Sequence, residues 1–316
     1  MKVALAGFGH VGRALGTAVA SGQGPVASIR VTGITTARHG ALIDPDGIDL
    51  SCPALGPASP SIDAFLDAAQ ADVLVELTPL DPTCGEPAIS HIRAAFSRRL
   101  HVVTANKGPL AFAYHTLAAE ARAAGVRFLF ESTVMDGCPV FNLVRHCLPG
   151  VEILGFTGVL NSTTTVILEA MEGGRTFDEG VAEARRLGIA EANPTYDTDG
   201  WDAAVKTAAL ANVFWDARVT PLDIDRRGIG RLTPQRLHEL HTAGKTVRLI
   251  SRASRQGKLR VRAEVLPQTD PLASTHGTSN LLLLHTDLMG TIGTMELAPT
   301  PLQTAYGVLA DLQALI

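Results

Sequence analysis

An α/β fold is predicted for this chain: a doubly wound parallel sheet over residues 1–130, then an α+β domain over 131–300. Up to about residue 130, short β-rich runs alternate with helical runs, the pattern of a parallel sheet with helices on its faces. A glycine-rich step, Gly7-Phe-Gly9-His10-Val11-Gly12, separates the first strand-like run from the first helical one. After residue 131 the strand runs lengthen and the regular alternation is lost.

In the first domain, strands are expected at 3–6, 29–34, 73–77, 101–104 and 126–131, each a short apolar run fit for burial on both faces. Helices are expected at 11–21, 62–70, 88–98 and 110–124. Residues 39–60 are rich in Pro, Gly, Ser and Asp and read as one long loop. In the second domain, strands are expected at 152–160 and 281–287, and helices near 162–173, 178–187, 200–213 and 234–243. The arginines of 248–262 alternate with Leu259, Val261 and Ala263 and read as the solvent face of strands. A final helix at about 302–314 is expected to pack back on the first domain.

Bulk properties narrow the function classes. The chain has 316 residues, 46% hydrophobic and 18% charged, with net charge -4, which leaves no footprint for nucleic acid. No run approaches the ~18 apolar residues of a membrane span. The four cysteines (Cys52, Cys84, Cys138, Cys147) have neither paired nor metal-ligand spacing, so a reduced, cytoplasmic compartment is expected.

The glycine step has a strand before it and a helix after it, the context that a dinucleotide fingerprint needs. Gly7 would allow the tight turn, Gly9 the close approach of a pyrophosphate, and Gly12 the packing of helix on strand, as in a Rossmann-type sheet. His10 and Val11 would then present the first helical amides to the phosphates. A site preferring NAD usually carries an acid ~20 residues past the glycines. Here no Asp or Glu occurs between Gly12 and Asp44. Arg38 is placed to meet a 2′-phosphate, so NADP is expected, with NAD possible. Arg38 reads equally well as a solvated loop residue.

The segment 188–206 carries the chemistry. Glu191, Asp197, Asp199 and Asp202 crowd a turn-rich loop, and Lys206 follows Asp202 by one helical turn. The residues after Lys206 are apolar on nearly every side, so that helix should be buried. Asp199 and Asp202 also resemble an N-cap and an acid of the first turn. The chain has only five lysines against 22 arginines. A lysine chosen at a buried site suggests a titratable amine, which arginine cannot supply.

With these segments in hand, the chain resembles the homoserine dehydrogenases over nearly its whole length. The motifs are Val103-Thr-Ala-Asn-Lys107-Gly-Pro, Gly158-Val-Leu-Asn161-Ser-Thr163, Leu187-Gly188-Ile-Ala-Glu191-Ala-Asn-Pro194, and Gly200-Trp-Asp202-Ala-Ala-Val-Lys206. The resemblance implies reversible, NAD(P)-linked interconversion of L-homoserine and L-aspartate 4-semialdehyde. Lys206 matches the family's catalytic lysine, a general acid toward the aldehyde oxygen and a base in reverse. Partial burial would lower its proton affinity from the free value of ~10.4, and Asp202 would oppose that drop and help bind the substrate ammonium. Glu191 matches the ligand of the substrate amine, with Asp197 in support, and Thr163 or a neighbouring amide would serve the substrate carboxylate. Lys107 matches a lysine between cofactor and substrate. Thr78 should lie near the nicotinamide, and Gly188 matches a cofactor contact.

The resemblance also implies a monovalent cation, sodium, at Glu131, Val134, Asp136 and Cys138. Carbonyls suit a hard cation whatever their side chains, although Glu131 reads equally as an ordinary strand-end acid. A homodimer through the second domain's sheet is implied too. Two stretches depart from the family pattern: Met135-Asp-Gly-Cys-Pro139, which sets the charge of Asp136 near the active cleft, and Glu296-Leu-Ala-Pro-Thr-Pro301 in place of a glycine-rich turn. They keep open a related dehydrogenase for another small hydroxy-amino acid. A silent dinucleotide-binding regulator is the alternative from another class, and retention of Lys107, Glu191, Asp202 and Lys206 speaks against it. Since the chain stops at Ile316, no C-terminal regulatory domain and weak or no inhibition by threonine are expected.

Overall fold

The computed structural model describes residues 1–22, 27–190 and 193–316. The chain divides into two compact units, residues 1–143 with 300–316, and residues 144–299. The first unit therefore runs past the expected boundary at 130/131. The cause is Glu131, whose carboxylate accepts the backbone N–H groups of Val140, Phe141 and Asn142 and so ties that segment to the first unit.

In the first unit the elements run β1 (Lys2–Ala6), α1 (His10–Ala20), β2 (Arg30–Thr36), β3 (Gly40–Ile43), α2 (Ile62–Ala69), β4 (Val73–Glu76), α3 (Ala88–Ser97), β5 (His101–Thr104), α4 (Gly108–Ala124) and β6 (Phe128–Leu129). They form one sheet in the order β3-β2-β1-β4-β5-β6. Every pairing is parallel except β2 with β3. The order reverses between β1 and β4, so the topological switch point, where such sheets bind ligands, lies at their carboxyl ends. The strands are apolar runs with hardly a polar break because both faces are covered. Val3, Leu5, Ile34, Val75 and Val103 meet Leu15 of α1 and Ala305, Val308 and Leu312 of the closing helix, Pro301–Gln313, all essentially buried.

Two expectations for this unit need correction. The stretch 39–60 is not all loop, because Gly40–Ile43 pairs antiparallel with β2. The Thr36 hydroxyl closes the turn, donating to the Gly40 carbonyl at 3.0 Å and accepting from His39 N–H at 2.9 Å. The run 126–131 is strand only at Phe128–Leu129 and then coils into a 3₁₀ turn at Glu131–Thr133.

The second unit contains β7 (Ile153–Val159), α5 (Ser162–Glu172), α6 (Phe177–Arg186), α7 (Thr195–Thr198), α8 (Trp201–Trp215), β8 (Asp225–Arg227), α9 (Pro234–Thr242), β9 (Lys245–Ser254), β10 (Arg260–Pro267), β11 (Asn280–Thr286) and β12 (Thr291–Glu296). Its sheet order is β12-β11-β7-β9-β10-β8, antiparallel except for β8 beside β10. Helix α8 is buried along nearly its whole length, as its alanine-rich sequence requires.

Arg248 departs from the expected solvent face. Its side chain is 1% exposed, with Glu172 at 3.4 Å, Glu169 at 3.1 Å and the Thr275 carbonyl at 3.1 Å. A guanidinium is tolerated in a core when its donors are satisfied in this way. Arg252, Arg255, Arg260 and Arg262 keep partly exposed side chains. No described helix is long and apolar enough to cross a membrane, and none of the four cysteines is in a disulfide.

Candidate active site

The catalytic candidates of the second unit converge around Asn161. This residue leaves β7 in an extended conformation and N-caps α5, its Oδ1 accepting Thr164 N–H at 2.9 Å. Capping uses the carbonyl half of the amide and leaves the NH₂ half to donate. Nδ2 donates to Asp197 Oδ1 at 2.7 Å and to Asp202 Oδ2 at 2.9 Å. Asp202 Oδ2 also faces Lys206 Nζ at 3.4 Å, and Lys206 donates to the Leu160 carbonyl at 2.6 Å. The Asp202 and Lys206 side chains are 10% and 14% exposed. The pair thus joins a buried carboxylate to a partly buried ammonium, unlike the common exposed i,i+4 contact.

Local geometry aims these groups inward. Asp199 ends the short helix α7 rather than capping α8, and the N-cap of α8 is Gly200 at φ 80°. That left-handed conformation, which costs glycine little, joins the two helices. Asp202 then sits at the second position of α8 with its carboxylate turned to Asn161 and Lys206. Thr163 is buried and its hydroxyl donates to the Ile189 carbonyl at 2.9 Å, so that proton holds the 188–190 loop. Gly188 adopts φ 74° just past α6, with Gly188 and Ile189 N–H returning to carbonyls of that helix. It thus has a helix-terminating role of its own. Glu191 lies outside the described residues.

In the first unit the three glycines divide their work as the fingerprint requires. Gly7 has φ 102°, and a Cβ there would lie 2.6 Å from the Leu77 backbone. Gly12 approaches the Gly7 carbonyl, with 3.1 Å left for a Cβ. Gly9 is open, since a Cβ would meet no atom within 4 Å. It is also the N-cap of α1 and has no side-chain cap. The first amides of that helix, at His10 and Val11, are thus left for a ligand, and the open cradle fits a pyrophosphate. Arg38 is exposed in the turn between β2 and β3. Lys107 stands at the N-cap position of α4, and Thr78 follows β4 with its N–H and hydroxyl both donating to the Glu76 carboxylate.

The turn after β6 is held by its own unit. Glu131 N–H donates to Asp311 at 2.7 Å, Ser132 Oγ to the Thr304 carbonyl at 2.7 Å, and Thr304 Oγ1 to Asp136 at 2.6 Å. The Asp136 carboxylate is engaged with the closing helix. With both Glu131 oxygens turned to backbone N–H groups, a cation at this turn would rely on carbonyl oxygens.

Such a chain is an oxidoreductase of the nicotinamide-dinucleotide class: one unit offers a cradle shaped for a pyrophosphate, the other a partly buried amine beside carboxylates. Comparison with known proteins gives the family. Residues 7–131 match the family model described as homoserine dehydrogenase, NAD binding domain, and residues 139–313 match that of homoserine dehydrogenase. The chain is similar to the homoserine dehydrogenase of Methanocaldococcus jannaschii, 36% identical over 99% of this chain and 97% of the relative. It is similar also to the NAD(+)-dependent homoserine dehydrogenase of Pseudomonas canavaninivorans, 35% identical over 98% and 95%. Among solved structures, the homoserine dehydrogenase of Thermoplasma acidophilum superposes with TM-score 0.86 at 26% identity, covering 100% of this chain and 98% of that one. A hyperthermophilic archaeal homoserine dehydrogenase in complex with NADPH superposes with TM-score 0.84 at 28% identity, covering 98% and 96%. The chain belongs to the homoserine dehydrogenase family.

Proposed function

We propose that this chain interconverts L-homoserine and L-aspartate 4-semialdehyde, with Lys206 exchanging a proton with the reacting oxygen. The observation that carries the reading is the partly buried Lys206 ammonium between the Leu160 carbonyl and the Asp202 carboxylate. When bound, the nicotinamide supplies or takes up the hydride. Lys206 gives its proton to the aldehyde oxygen in reduction and receives it from the alcohol in oxidation. Asp202 holds the ammonium in place, and Asn161 fixes Asp202 and Asp197 so that neither carboxylate rotates away. Glu191, with Asp197 and Asp202, supplies the negative charge that orients the substrate amine.

Gly7, Gly9 and Gly12 with the amides at His10 and Val11 hold the pyrophosphate, Thr78 and Lys107 border the nicotinamide, and Gly188 adds a contact. Arg38, exposed in its turn, favours NADP through a 2′-phosphate, as a single arginine can. Carbonyls of Glu131, Val134, Asp136 and Cys138 hold a sodium ion, in keeping with the oxygen ligands such an ion takes. The enzyme works in the cytoplasm as a homodimer joined through the second sheet.

The test is reduction of NAD and NADP, supplied separately, by homoserine, followed by nicotinamide absorbance. Turnover with a preference for NADP supports both parts. Turnover with NAD alone removes the role of Arg38, and none with either removes the substrate reading.

A further inference from the structure

We propose that Glu76 is a positioning residue: its buried carboxylate fixes Thr78 and the Lys107 turn as one rigid rim at the carboxyl ends of β4 and β5. The inference rests on the dinucleotide reading above and assigns a task to a residue that reading does not use.

Glu76 is the last residue of β4, opposite Ala6 of β1 and Thr104 of β5. It therefore stands at the switch point, on the β4–β6 side. The glycine loop belongs to β1 and the expected ribose contact to β2, so the half of the sheet containing Glu76 faces the other mononucleotide, the nicotinamide. The residue is 0% exposed. A carboxylate there is expensive unless hydrogen bonds repay its lost hydration. Oε1 accepts both the N–H of Thr78, at 3.1 Å, and its hydroxyl, while Thr104 Oγ1 lies 3.3 Å from Oε2 and 3.2 Å from the Glu76 backbone carbonyl, so its proton is shared between them. His91 Nδ1, from α3, is 3.6 Å from Oε1.

The remaining bonds close a ring. Thr104 Oγ1 accepts Asn106 N–H at 3.0 Å, Asn106 Nδ2 donates to the Thr78 carbonyl at 3.0 Å, and Asn106 Oδ1 accepts Gly108 N–H at 2.9 Å. Lys107 is the residue between Asn106 and Gly108, so its backbone is clamped on both sides by an amide that Glu76 orients through Thr104. An apolar residue would fill the volume of Glu76 equally well. It would leave Thr78 N–H and its hydroxyl without this acceptor, leave Thr104 Oγ1 only the Glu76 backbone carbonyl, and so loosen the rim beyond the paired strand ends.

The experiment compares the full-length wild type with Glu76→Gln and Thr104→Val. NADPH affinity is measured by nicotinamide fluorescence without substrate, then kcat and KM for homoserine at saturating NADP, with melting temperature as the check on folding. Glutamine keeps one acceptor for Thr78 but replaces the one facing Thr104, and valine removes the Thr104 link at constant shape. Hydrogen bonds to charged groups are worth enough that both variants should lose about tenfold or more in NADPH affinity and a similar factor in kcat. The KM for homoserine should stay near the wild-type value. A purely structural Glu76 would lower the melting temperature yet leave NADPH affinity and kcat unchanged in the folded fraction, and that result overturns the inference. Should Glu76→Gln fail to fold, wild-type affinity and kcat in Thr104→Val overturn it equally. The binding arm uses no substrate, so absence of homoserine turnover in the wild type would remove the substrate assignment while NADPH affinity still decides the role of Glu76.

Discussion

Asn161 Nδ2 stands 2.9 Å from Asp202 Oδ2, the same oxygen that faces Lys206 at 3.4 Å. One side chain thus begins helix α5 with its carbonyl and aligns the Asp197 and Asp202 carboxylates with its amide hydrogens. The two tasks are separable by mutation. Asn161→Ser keeps a capping oxygen but removes the NH₂ group, so it should leave the melting temperature nearly unchanged. It should lower kcat/KM for homoserine by about tenfold or more, the scale of a lost bond to a charged group. Asn161→Ala should lose the cap as well, at about 1 kcal/mol of stability.

The glycine step predicts opposite outcomes for two similar changes. Gly7→Ala puts a Cβ 2.6 Å from Leu77 backbone at φ 102°, so it should destabilise the fold by more than about 2 kcal/mol. Gly9→Ala meets nothing within 4 Å and should fold normally. Its methyl would occupy the space a pyrophosphate needs, so NADPH affinity should fall by about tenfold or more. Melting curves and fluorescence titrations of the two variants check this directly.

Arg248 gives a prediction about stability alone. Truncation to alanine leaves Glu172 buried beside an empty volume, and removing one partner of a buried pair costs about 3–5 kcal/mol. Urea unfolding should show the midpoint falling with an unchanged slope. Loss of less than about 1 kcal/mol would mean that Glu172 finds other donors, of which Thr246 Oγ1 at 2.6 Å is the nearest.

Much of the architecture is legible in the sequence because the first unit repeats one local rule, an apolar run followed by a helical one. What escapes are features set by distant partners or by edges. β3 is four residues inside a stretch rich in turn formers, and its pairing with β2 decides it. β12, an edge strand, has five of its six residues at least partly exposed, which blurs any alternation. Arg248 follows an alternating pattern that looks solvent-facing, because its acceptors lie on a helix 76 residues earlier. At the candidate site, Lys206 and Asp202 stand out through helical spacing and the scarcity of lysine. The role of Asn161 does not, since an Asn before Ser-Thr-Thr-Thr reads as a cap, and its second use depends on α7 and α8 arriving from elsewhere. Asp199 reads as a cap for the converse reason, since the sequence does not show that Gly200 takes the N-cap position of α8.

The most direct test of the account is kcat for homoserine oxidation by Lys206→Ala and Lys206→Arg, with NADPH affinity measured on the same preparations. Both variants should lose about a hundredfold or more in kcat, the scale of lost acid–base catalysis, because arginine keeps the charge but does not release the proton. NADPH affinity should be unchanged in both. Turnover near the wild-type rate in Lys206→Arg would contradict a proton exchanged at Nζ, and survival of Lys206→Ala would contradict the site itself.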